Sequence, residues 1–382
     1  MPNQDFIRQL PGSEVQLGQP VNLWKRFHID LPLLGLLLML TIFGLVVLYS
    51  GGGQKLYYIK RQATSFGIAY FLMFVIAQMD IHILKRWAPI VYVCGVVLLM
   101  AVLLFGEGAK GAQRWLNLPG LPRFQPSEIM KLILPIVVAT FLDGKPLPPK
   151  FGHVIATLVI IFFPTILILK QPDLGTAILI LVPGMTVLFL SGLHWYYLAA
   201  CIVVALPTGP IFWFYVLQDY QKKRILTLFD PQADVFGAGW NIFQSMTAIG
   251  SGGVHGKGWL KGTQSQLDFL PESQTDFIIA VLAEEKGLLG VVSLLIIYLL
   301  IVMRGFYIGL QAQETFGRLL AGSITLTFFV YVVVNMLMVS GLIPVVGVPL
   351  PLVSHGGTAI VSLMCGFGIL MAISTENKKL SL

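Results

Sequence analysis

The stretch Gly252–Glu285, GGVHGKGWLKGTQSQLDFLPESQTDFIIAVLAEE, is the most polar part of an otherwise apolar chain. It leads without a break into an apolar run that predicts a helix beginning at about Asp276. A carboxylate therefore stands where a polar loop enters a membrane, and three more ionisable groups follow two to three helical turns deeper, at residues 284–286. Ionisable groups are costly at such positions, and their default interpretation is functional. For residues 284–286 the alternative is a structural cluster that neutralises itself.

The composition is that of a membrane protein. Of the 382 residues, 56% are hydrophobic and 11% charged, whereas soluble domains carry about 25% charged residues. The net charge of +7 is typical of cytoplasmic loops held against anionic lipid. No basic run with interleaved aromatic residues occurs in the sequence, which argues against nucleic-acid binding. Three cysteines in apolar segments, an odd number, argue against a disulfide framework or a metal site.

Apolar runs near the length that a bilayer of about 30 Å requires predict an all-α polytopic membrane protein with ten transmembrane helices. The predicted spans are Leu33–Tyr49, Ala63–Ala77, Ala88–Phe105, Ser127–Leu142, Val154–Leu169, Thr176–Leu190, Trp195–Leu217, Asp276–Met303, Leu319–Val339 and Thr358–Ser374. We expect residues 31–376 to form one membrane domain, between an N-terminal tail of residues 1–30 and a C-terminal tail of residues 377–382. The first tail is too long and too polar for a cleaved signal peptide.

Lysine and arginine in the short loops favour cytoplasmic N- and C-termini, although the bias is weak. The outer short loops also carry cations, namely Lys55, Lys60, Arg61, Lys110, Arg114, Arg123 and Lys170. Either an anionic ligand holds these cations on the outer side, or their side chains extend to the lipid headgroups.

Residues 218–275 then form a large extracytoplasmic loop between the seventh and eighth helices, and loops of such length tend to be functional. The basic-then-apolar run Tyr220–Leu226 predicts a helix on the membrane surface, and Trp240–Ile249 predicts another. The many glycines after Ile249 favour tight turns and close backbone approach. Gly250–Gly253 could also cradle a phosphate, with a flexible turn as the alternative.

Two smaller outer elements carry candidate site residues. Ser127 is a possible N-cap of the fourth span, and Glu128 and Lys131 share one face of that helix. Lys170–Thr176 forms a tight turn that holds Lys170 and Asp173. The alternatives are an ordinary ion pair at the membrane edge and a simple hairpin turn.

Between the last two spans, residues 341–357 (GLIPVVGVPLPLVSHGG) contain too many prolines and glycines for a regular helix. Irregular backbone at membrane depth requires cover by protein or a cavity. We therefore predict a re-entrant segment that lines a cavity, with Ser354 and His355 as candidate ligand contacts; a structural histidine is the alternative for His355.

Together, the outer carboxylates and cations suit a substrate with a lipid tail and a polar head. Fixed positive charge stabilises a leaving diphosphate, and a lone carboxylate such as Asp276 could act as general base toward a sugar hydroxyl. The residues thus permit direct displacement on a diphospho-lipid sugar. A transporter would use the same groups, and the residues alone leave both interpretations open.

Five stretches resemble the SEDS family (shape, elongation, division and sporulation), and the resemblance extends through nearly all ten predicted spans. They are GAQRW (Gly111–Trp115), QPSEIMK (Gln125–Lys131), QPDLGTA (Gln171–Ala177), GTQSQLDFLPESQTDFIIAVLAEEKG (Gly262–Gly287) and PLPLVSHGG (Pro349–Gly357). The form GTQSQLDFLPE looks more like the RodA-like members that act in cell elongation than like the division members.

The resemblance implies a peptidoglycan glycosyltransferase of the bacterial inner membrane, which polymerises lipid II on the outer face during lateral cell-wall elongation. The implied partner is a class B penicillin-binding protein, a transpeptidase. The family's essential aspartate matches Asp276, and its glutamate and lysine of the fourth span match Glu128 and Lys131. Gln274 departs from the family pattern, because many relatives carry histidine there.

The resulting hypothesis makes Asp276 the general base for formation of a β-1,4 link. Lys131, Arg114 and Arg224 are candidate diphosphate contacts, with Glu128 orienting Lys131. The remaining candidates for substrate binding are Lys170, Asp173, Ser354 and His355. No metal-ligand spacing is present, although a divalent cation, Mg or Mn, could bridge the phosphates. The alternatives are a lipid II flippase and a non-catalytic scaffold of the elongation complex.

Overall fold

The computed structural model describes residues 28–109, 112–116, 124–215, 217–230, 237–267, 269–270 and 272–379. Within these ranges the chain forms thirteen helices and one β-hairpin. The helices are α1 (Leu31–Gly51), α2 (Leu56–Ala77), α3 (Ile81–Phe105), α4 (Pro126–Leu142), α5 (Phe151–Lys170), α6 (Leu174–Leu190), α7 (Trp195–Tyr215), α8 (Asp219–Phe229), α9 (Ala238–Gly252), α10 (Thr263–Gln266), α11 (Ile278–Gln311), α12 (Thr315–Val339) and α13 (Gly357–Lys379). The strands are β1 (Glu107–Ala109) and β2 (Ala112–Trp115), which pair antiparallel.

The helical fold class is confirmed, with the short hairpin after α3 as an addition to it. Ten helices of 17 residues or more cover the ten predicted spans within the described ranges. Six of them (α1, α3, α5, α11, α12 and α13) are long and apolar enough to cross a membrane. The chain is therefore an integral membrane protein, while ten crossings stay a prediction. The two predicted surface helices of the outer loop correspond to α8 and α9.

Helix ends differ from the predictions where polar residues begin or end a helix. α2 begins at Leu56, before the predicted start at Ala63. Its first two turns contain basic residues, so they are not part of the apolar run from which the span was predicted. α4 has Gln125 as its N-cap, so the predicted cap Ser127 is wrong; Pro126 occupies the first helical turn, where a missing N–H costs nothing. α13 continues to Lys379, into the predicted C-terminal tail. The predicted N-terminal tail lies outside the described ranges up to residue 27.

A buried carboxylate joins three helices at one end of the bundle. Asp30 caps α1 by accepting a hydrogen bond from the Leu33 amide at 3.0 Å. The Arg304 guanidinium on α11 donates two hydrogen bonds to the same carboxylate, at 3.0 and 2.7 Å. The Ser374 hydroxyl on α13 donates a further one at 3.1 Å. Asp30 thereby fixes the relative positions of α1, α11 and α13.

Helix α11 is broken at Gly287, where φ is 65° and ψ is −162°. The backbone groups that the break leaves unpaired bond to the loop of residues 253–258. The four hydrogen bonds are Lys257 N to Glu284 O at 2.9 Å, Gly258 N to Glu285 O at 3.0 Å, Leu288 N to Gly253 O at 2.9 Å and Leu289 N to Val254 O at 3.2 Å. A Cβ on Gly287 would lie 2.5 Å from the Gly256 nitrogen, so the backbones meet only because both residues are glycine.

The carboxylate of Glu284 is fully buried beneath the loop that follows α9. One of its oxygens accepts hydrogen bonds from the amides of Thr263 at 2.7 Å and Gln264 at 3.0 Å, at the start of α10. The same oxygen lies 2.8 Å from the Lys257 ammonium. The predicted alternative, in which residues 284–286 neutralise one another, is therefore wrong for Glu284, whose ionic partner is Lys257.

Residues 341–356 form no helix, as predicted, and they pack into the helix bundle; Gly357 is the first residue of α13. A Cβ on Gly44, in the middle of α1, would lie 2.7 Å from the Leu352 carbonyl oxygen. The Tyr298 hydroxyl on α11 donates a hydrogen bond of 2.7 Å to the Pro351 carbonyl. Packing against α1 and α11 supplies the protein cover that irregular backbone requires in a membrane. We call residues 341–357 the connector.

Candidate active site

The connector forms one wall of a cavity of about 900 Å³, whose other walls come mainly from α2, α4, α6 and α13, with Tyr331 from α12. Polar groups line part of it: Arg61 on α2, Glu128 and Lys131 on α4, Tyr331 on α12, and His355 of the connector. Aliphatic side chains from α2, α4, α6 and α13 line the rest. A large cavity with a few polar groups among apolar ones suits an amphipathic ligand.

Three consecutive backbone carbonyls, those of residues 274–276, are held by side-chain or backbone donors from elsewhere in the chain. The His355 amide donates to the first at 2.9 Å, the Ser354 hydroxyl to the second at 2.5 Å, and the Asn335 side-chain amide to the third at 3.0 Å. The position of Asp276, immediately before α11, is therefore fixed from both the connector and α12.

The half-buried carboxylate of Asp276 lies against Gly347, which lines the cavity. A Cβ on Gly347 would lie 3.6 Å from Asp276 Oδ2, and φ at this glycine is 78°. The glycine both permits the left-handed backbone and keeps the wall thin beside the carboxylate. Asp276 thus lies behind Gly347, next to the cavity wall, and is not itself among the described residues that line the cavity.

Glu128 and Lys131 form an ion pair with 2.6 Å between Nζ and Oε1, and their side chains are only 12% and 10% exposed. The Ser362 hydroxyl of α13 donates to the second carboxylate oxygen at 3.1 Å. The ammonium also lies 5.4 Å from the ring centre of Tyr331, a cation–π distance. The structure thus holds one nearly buried cation at the cavity wall, oriented by three side chains.

Asp173 is buried and caps α6, since its two oxygens accept hydrogen bonds from the Thr176 amide at 3.1 Å and the Thr176 hydroxyl at 2.8 Å. The next turn of that helix contacts the connector, because a Cβ on Gly175 would lie 2.7 Å from Val346 Cγ1. Lys170, in contrast, is exposed at the end of α5 and does not belong to the described lining of the cavity.

The remaining candidate cations differ in what the structure shows of them. Arg224 on α8 donates a hydrogen bond of 3.2 Å to the Val345 carbonyl, two residues before Gly347. The side chain of Arg114 on β2 lies outside the described part of the structure, although its neighbour Trp115 lines the cavity.

Ser354 and His355 have different surroundings within the connector. Ser354 is buried, and its hydroxyl both donates to Thr275 and accepts from the Leu350 amide at 2.9 Å, so it anchors backbone. The His355 ring meets the Tyr58 ring edge-on, 5.6 Å apart, and its Nδ1 is buried without a hydrogen-bond partner among the described atoms. Burial, and secondly the charge of Arg61, lowers the pKa of His355.

The residues predicted from the sequence as site candidates do not include Asn335 and Tyr331, which lie four residues apart on α12. Asn335 is fully buried and bridges the carbonyls of Asp276 and Val348, at 3.0 and 2.7 Å. A polar amide in the middle of an apolar span is itself an indication of function. Its spacing to Tyr331, one helical turn, would have indicated a shared face.

Among the residues that the structure describes, no group of three or more His, Cys, Asp or Glu side chains could hold a metal ion. The charged groups at the cavity are instead a carboxylate beside its wall, a lysine–glutamate pair and an arginine. Such an arrangement can accept a proton and stabilise an anionic leaving group.

Comparison with known proteins gives one consistent result. Residues 27–379 match the model of a family that comprises FtsW, RodA and SpoVE, described as cell cycle proteins. The chain is 50% identical over 358 residues to the peptidoglycan glycosyltransferase MrdB of Escherichia coli K12, which covers 94% of this chain and 96% of that protein.

Solved structures agree. A chain from a peptidoglycan synthase complex that coordinates polymerization and crosslinking matches with a TM-score of 0.80 and 29% identity, over 91% of this chain and 98% of that one. The rod shape determining protein RodA of Thermus thermophilus, crystallised as an aspartate-to-alanine mutant, matches with a TM-score of 0.69 and 26% identity, over 91% and 98% of the two chains.

Proposed function

Because this chain belongs to the FtsW, RodA and SpoVE family and is a peptidoglycan glycosyltransferase, we propose that it polymerises lipid II with Asp276 as the general base. The observation that supports this proposal is that Asn335 and Ser354 hold the backbone carbonyls of Asp276 and Thr275, while the Asp276 carboxylate lies beside Gly347, which lines a large amphipathic cavity. The polar part of the cavity suits the diphosphate sugar of lipid II, and the apolar part suits its polyprenyl tail.

In the proposed reaction, the Asp276 carboxylate takes the proton of the 4-hydroxyl of the acceptor's N-acetylglucosamine. That oxygen forms a bond to C1 of the donor's N-acetylmuramic acid as the bond from C1 to the diphosphate breaks. Undecaprenyl diphosphate leaves with the electron pair, and the inverted carbon carries a β-1,4 link. Half-burial of the carboxylate reduces its hydration and so favours its use as a base.

Positive charge at the cavity would stabilise the departing diphosphate. Lys131 is the first candidate, since it lines the cavity and Glu128 holds it in one orientation. Arg224 lies beside the connector, and Arg114, Lys170, Asp173, Ser354 and His355 remain proposed substrate contacts of the second rank. A divalent cation, Mg or Mn, is proposed only at the diphosphate, whose own oxygens would supply most of its ligands.

We further propose a class B penicillin-binding protein as the partner and the bacterial inner membrane as the location, with cytoplasmic termini and a periplasmic active site. The likeness to a chain of a peptidoglycan synthase complex supports the partner. The distribution of lysine and arginine in the short loops supports the orientation.

The decisive experiment is polymerisation of purified lipid II by the full-length protein and its Asp276→Asn variant. We expect the substitution to reduce glycan formation by about 10²- to 10⁴-fold, the usual contribution of a general base. Asp219→Asn is the matched control, because that carboxylate is fully exposed on α8 in the same outer loop. Equal thermal stability of the variants would show that folding is intact. Normal polymerisation by Asp276→Asn would refute the assignment, and wild-type protein that moves lipid II without forming glycan would favour a flippase.

A further inference from the structure

A second cavity, of about 350 Å³, lies between α1, α11 and the loop that follows α9. It shares none of its described lining residues with the cavity of the candidate active site. It borders the break in α11, because Glu285 and Lys286 precede Gly287 and Leu289 follows it. This cavity has no part in the glycosyl transfer proposed above.

One wall of this cavity is apolar and faces away from the helix bundle. Val46 and Leu289 line it and are 48% and 55% exposed, with Phe43 beside them. In an integral membrane protein, such outward-facing side chains of spanning helices meet lipid acyl chains.

Another part of the lining is polar and includes the Lys286 ammonium, the His255 imidazole and the Glu285 carboxylate. Lys286 and His255 line the cavity and are exposed, and Trp259 is 45% exposed with its ring 6.1 Å from that of Tyr49. Tryptophan is enriched at the headgroup level of membranes, and lysine there attracts lipid phosphates.

The two carboxylates that precede Lys286 in sequence have other partners, although Glu285 also lines this cavity. Glu284 pairs with Lys257, and Glu285 accepts a hydrogen bond from Ser50. Within the described part of the chain, no carboxylate forms an ion pair with Lys286. The charge that Lys286 brings to the cavity is therefore available to an anion from outside the protein.

We propose that this cavity binds an anionic membrane phospholipid. Lys286 and His255 contact its phosphate, Trp259 lies against the headgroup, and the acyl chains follow the wall of Val46 and Leu289. The match is one of charge and polarity together, because the lining combines the Lys286 ammonium, which has no ion pair among the described residues, with apolar side chains that are exposed on the outside of the helix bundle.

The site also has a structural consequence. His255 and Trp259 belong to the loop whose backbone completes the broken helix at Gly287. A lipid that contacts both the loop and α11 therefore holds the loop against the helix. Binding should slow hydrogen exchange in residues 253–262, a readout that does not depend on catalytic activity.

The test is native mass spectrometry of delipidated full-length protein titrated with phosphatidylglycerol. We expect one retained lipid, bound about fivefold more weakly in Lys286→Gln, which removes one cation. The double variant with His255→Gln should bind more weakly still, because it also removes the imidazole that contacts the phosphate. Val46→Trp fills the cavity without changing charge and should abolish retention. Lys55→Gln is the control, since it removes an exposed cation from the loop between α1 and α2.

Loss of the lipid in the cavity variants but not in the control, with slower exchange of residues 253–262 on lipid addition, would support the proposal. Equal retention by all variants would overturn it. Displacement of phosphatidylglycerol by equimolar polyprenyl phosphate would assign the site to a lipid-linked substrate, and displacement by a transmembrane peptide of the transpeptidase would assign it to the partner. Either result would also overturn the phospholipid proposal.

Discussion

At the scale of single residues, the pair of Glu128 and Lys131 offers the most direct measurement of a buried charge. Lys131→Met leaves the Glu128 carboxylate nearly buried without its ammonium partner, so we expect a loss of about 3–5 kcal/mol in the free energy of unfolding. The double variant Glu128→Gln with Lys131→Met should be more stable than Lys131→Met alone, because no charge is left unpaired. Denaturant or thermal unfolding in detergent would measure both.

Lys222→Met is the matched control, since Lys222 pairs with the exposed Asp219 at 4.0 Å. Its effect should stay within about 0.5 kcal/mol. A double variant as unstable as Lys131→Met would contradict an uncompensated carboxylate as the cause.

The lowered pKa of His355 leads us to expect that the stability of the protein depends on pH. Burial, and then Arg61, lowers its pKa from the usual value of 6.5, so the unfolded chain binds the proton more readily than the folded one. The contribution of neutral His355 to the free energy of unfolding is therefore fully present above pH 6.5, and it is lost as the pH falls through the lowered pKa. The melting temperature measured from about pH 8 to about pH 5 should fall less in His355→Gln than in wild type. His194→Gln, at an exposed histidine, should keep the wild-type slope.

The sequence indicated Asp276, Glu128 and Lys131 as candidate site residues, because each is an ionisable group beside an apolar run. It could not show how Asp276 is held. The donors to the carbonyls of residues 274–276 come from Asn335 and the connector, 59 to 81 positions away in the chain. Contacts of that separation depend on helix packing, to which local sequence patterns give no access.

At the scale of elements, the break in α11 predicts opposite effects for two glycine substitutions. Gly287→Ala adds a Cβ at positive φ, 2.5 Å from Val254 O and Gly256 N, and should cost at least about 2 kcal/mol of unfolding free energy. Gly67→Ala, on α2 with nothing within 4 Å of the added Cβ, should instead stabilise by about 0.5–1 kcal/mol. Thermal unfolding of the two variants would measure the cost of backbone strain at Gly287 and the gain in helix propensity at Gly67. Equal effects of the two would show that the clash at Gly287 is relieved by movement of the loop.

The ten long helices could be predicted from the sequence, because an apolar run long enough to cross a bilayer forms a helix in nearly every case. The break at Gly287 was not predictable, because a glycine after polar residues, as at positions 284–287, also occurs inside continuous helices. Only the partner loop, which begins 34 residues earlier at Gly253, explains why α11 can leave backbone groups unpaired there.

At the scale of the whole molecule, the buried contact of Asp30 with Arg304 and Ser374 predicts cooperative loss of stability. The Asp30 side chain is 1% exposed, so Arg304→Met should cost about 3–5 kcal/mol. Adding Asp30→Asn should restore part of this, because asparagine removes the charge and still caps α1. Arg318→Met, at an exposed arginine of α12, should cost less than about 1 kcal/mol. Unfolding followed separately by fluorescence and by helicity would show whether the helices separate together. No recovery in the double variant would exclude an unpaired charge as the cause.

The connector has a mechanical consequence for the enzyme. The connector supplies one wall of the large chamber, and its Ser354 and His355 donate hydrogen bonds to the carbonyls of residues 275 and 274, just ahead of Asp276. Any load on the connector, whether from a growing sugar chain inside or from a neighbouring protein pressing on its outer surface, is therefore transmitted to Asp276, the proposed proton acceptor, as well as to the chamber wall. Filling of the chamber and the position of that carboxylate are thus coupled through two hydrogen bonds.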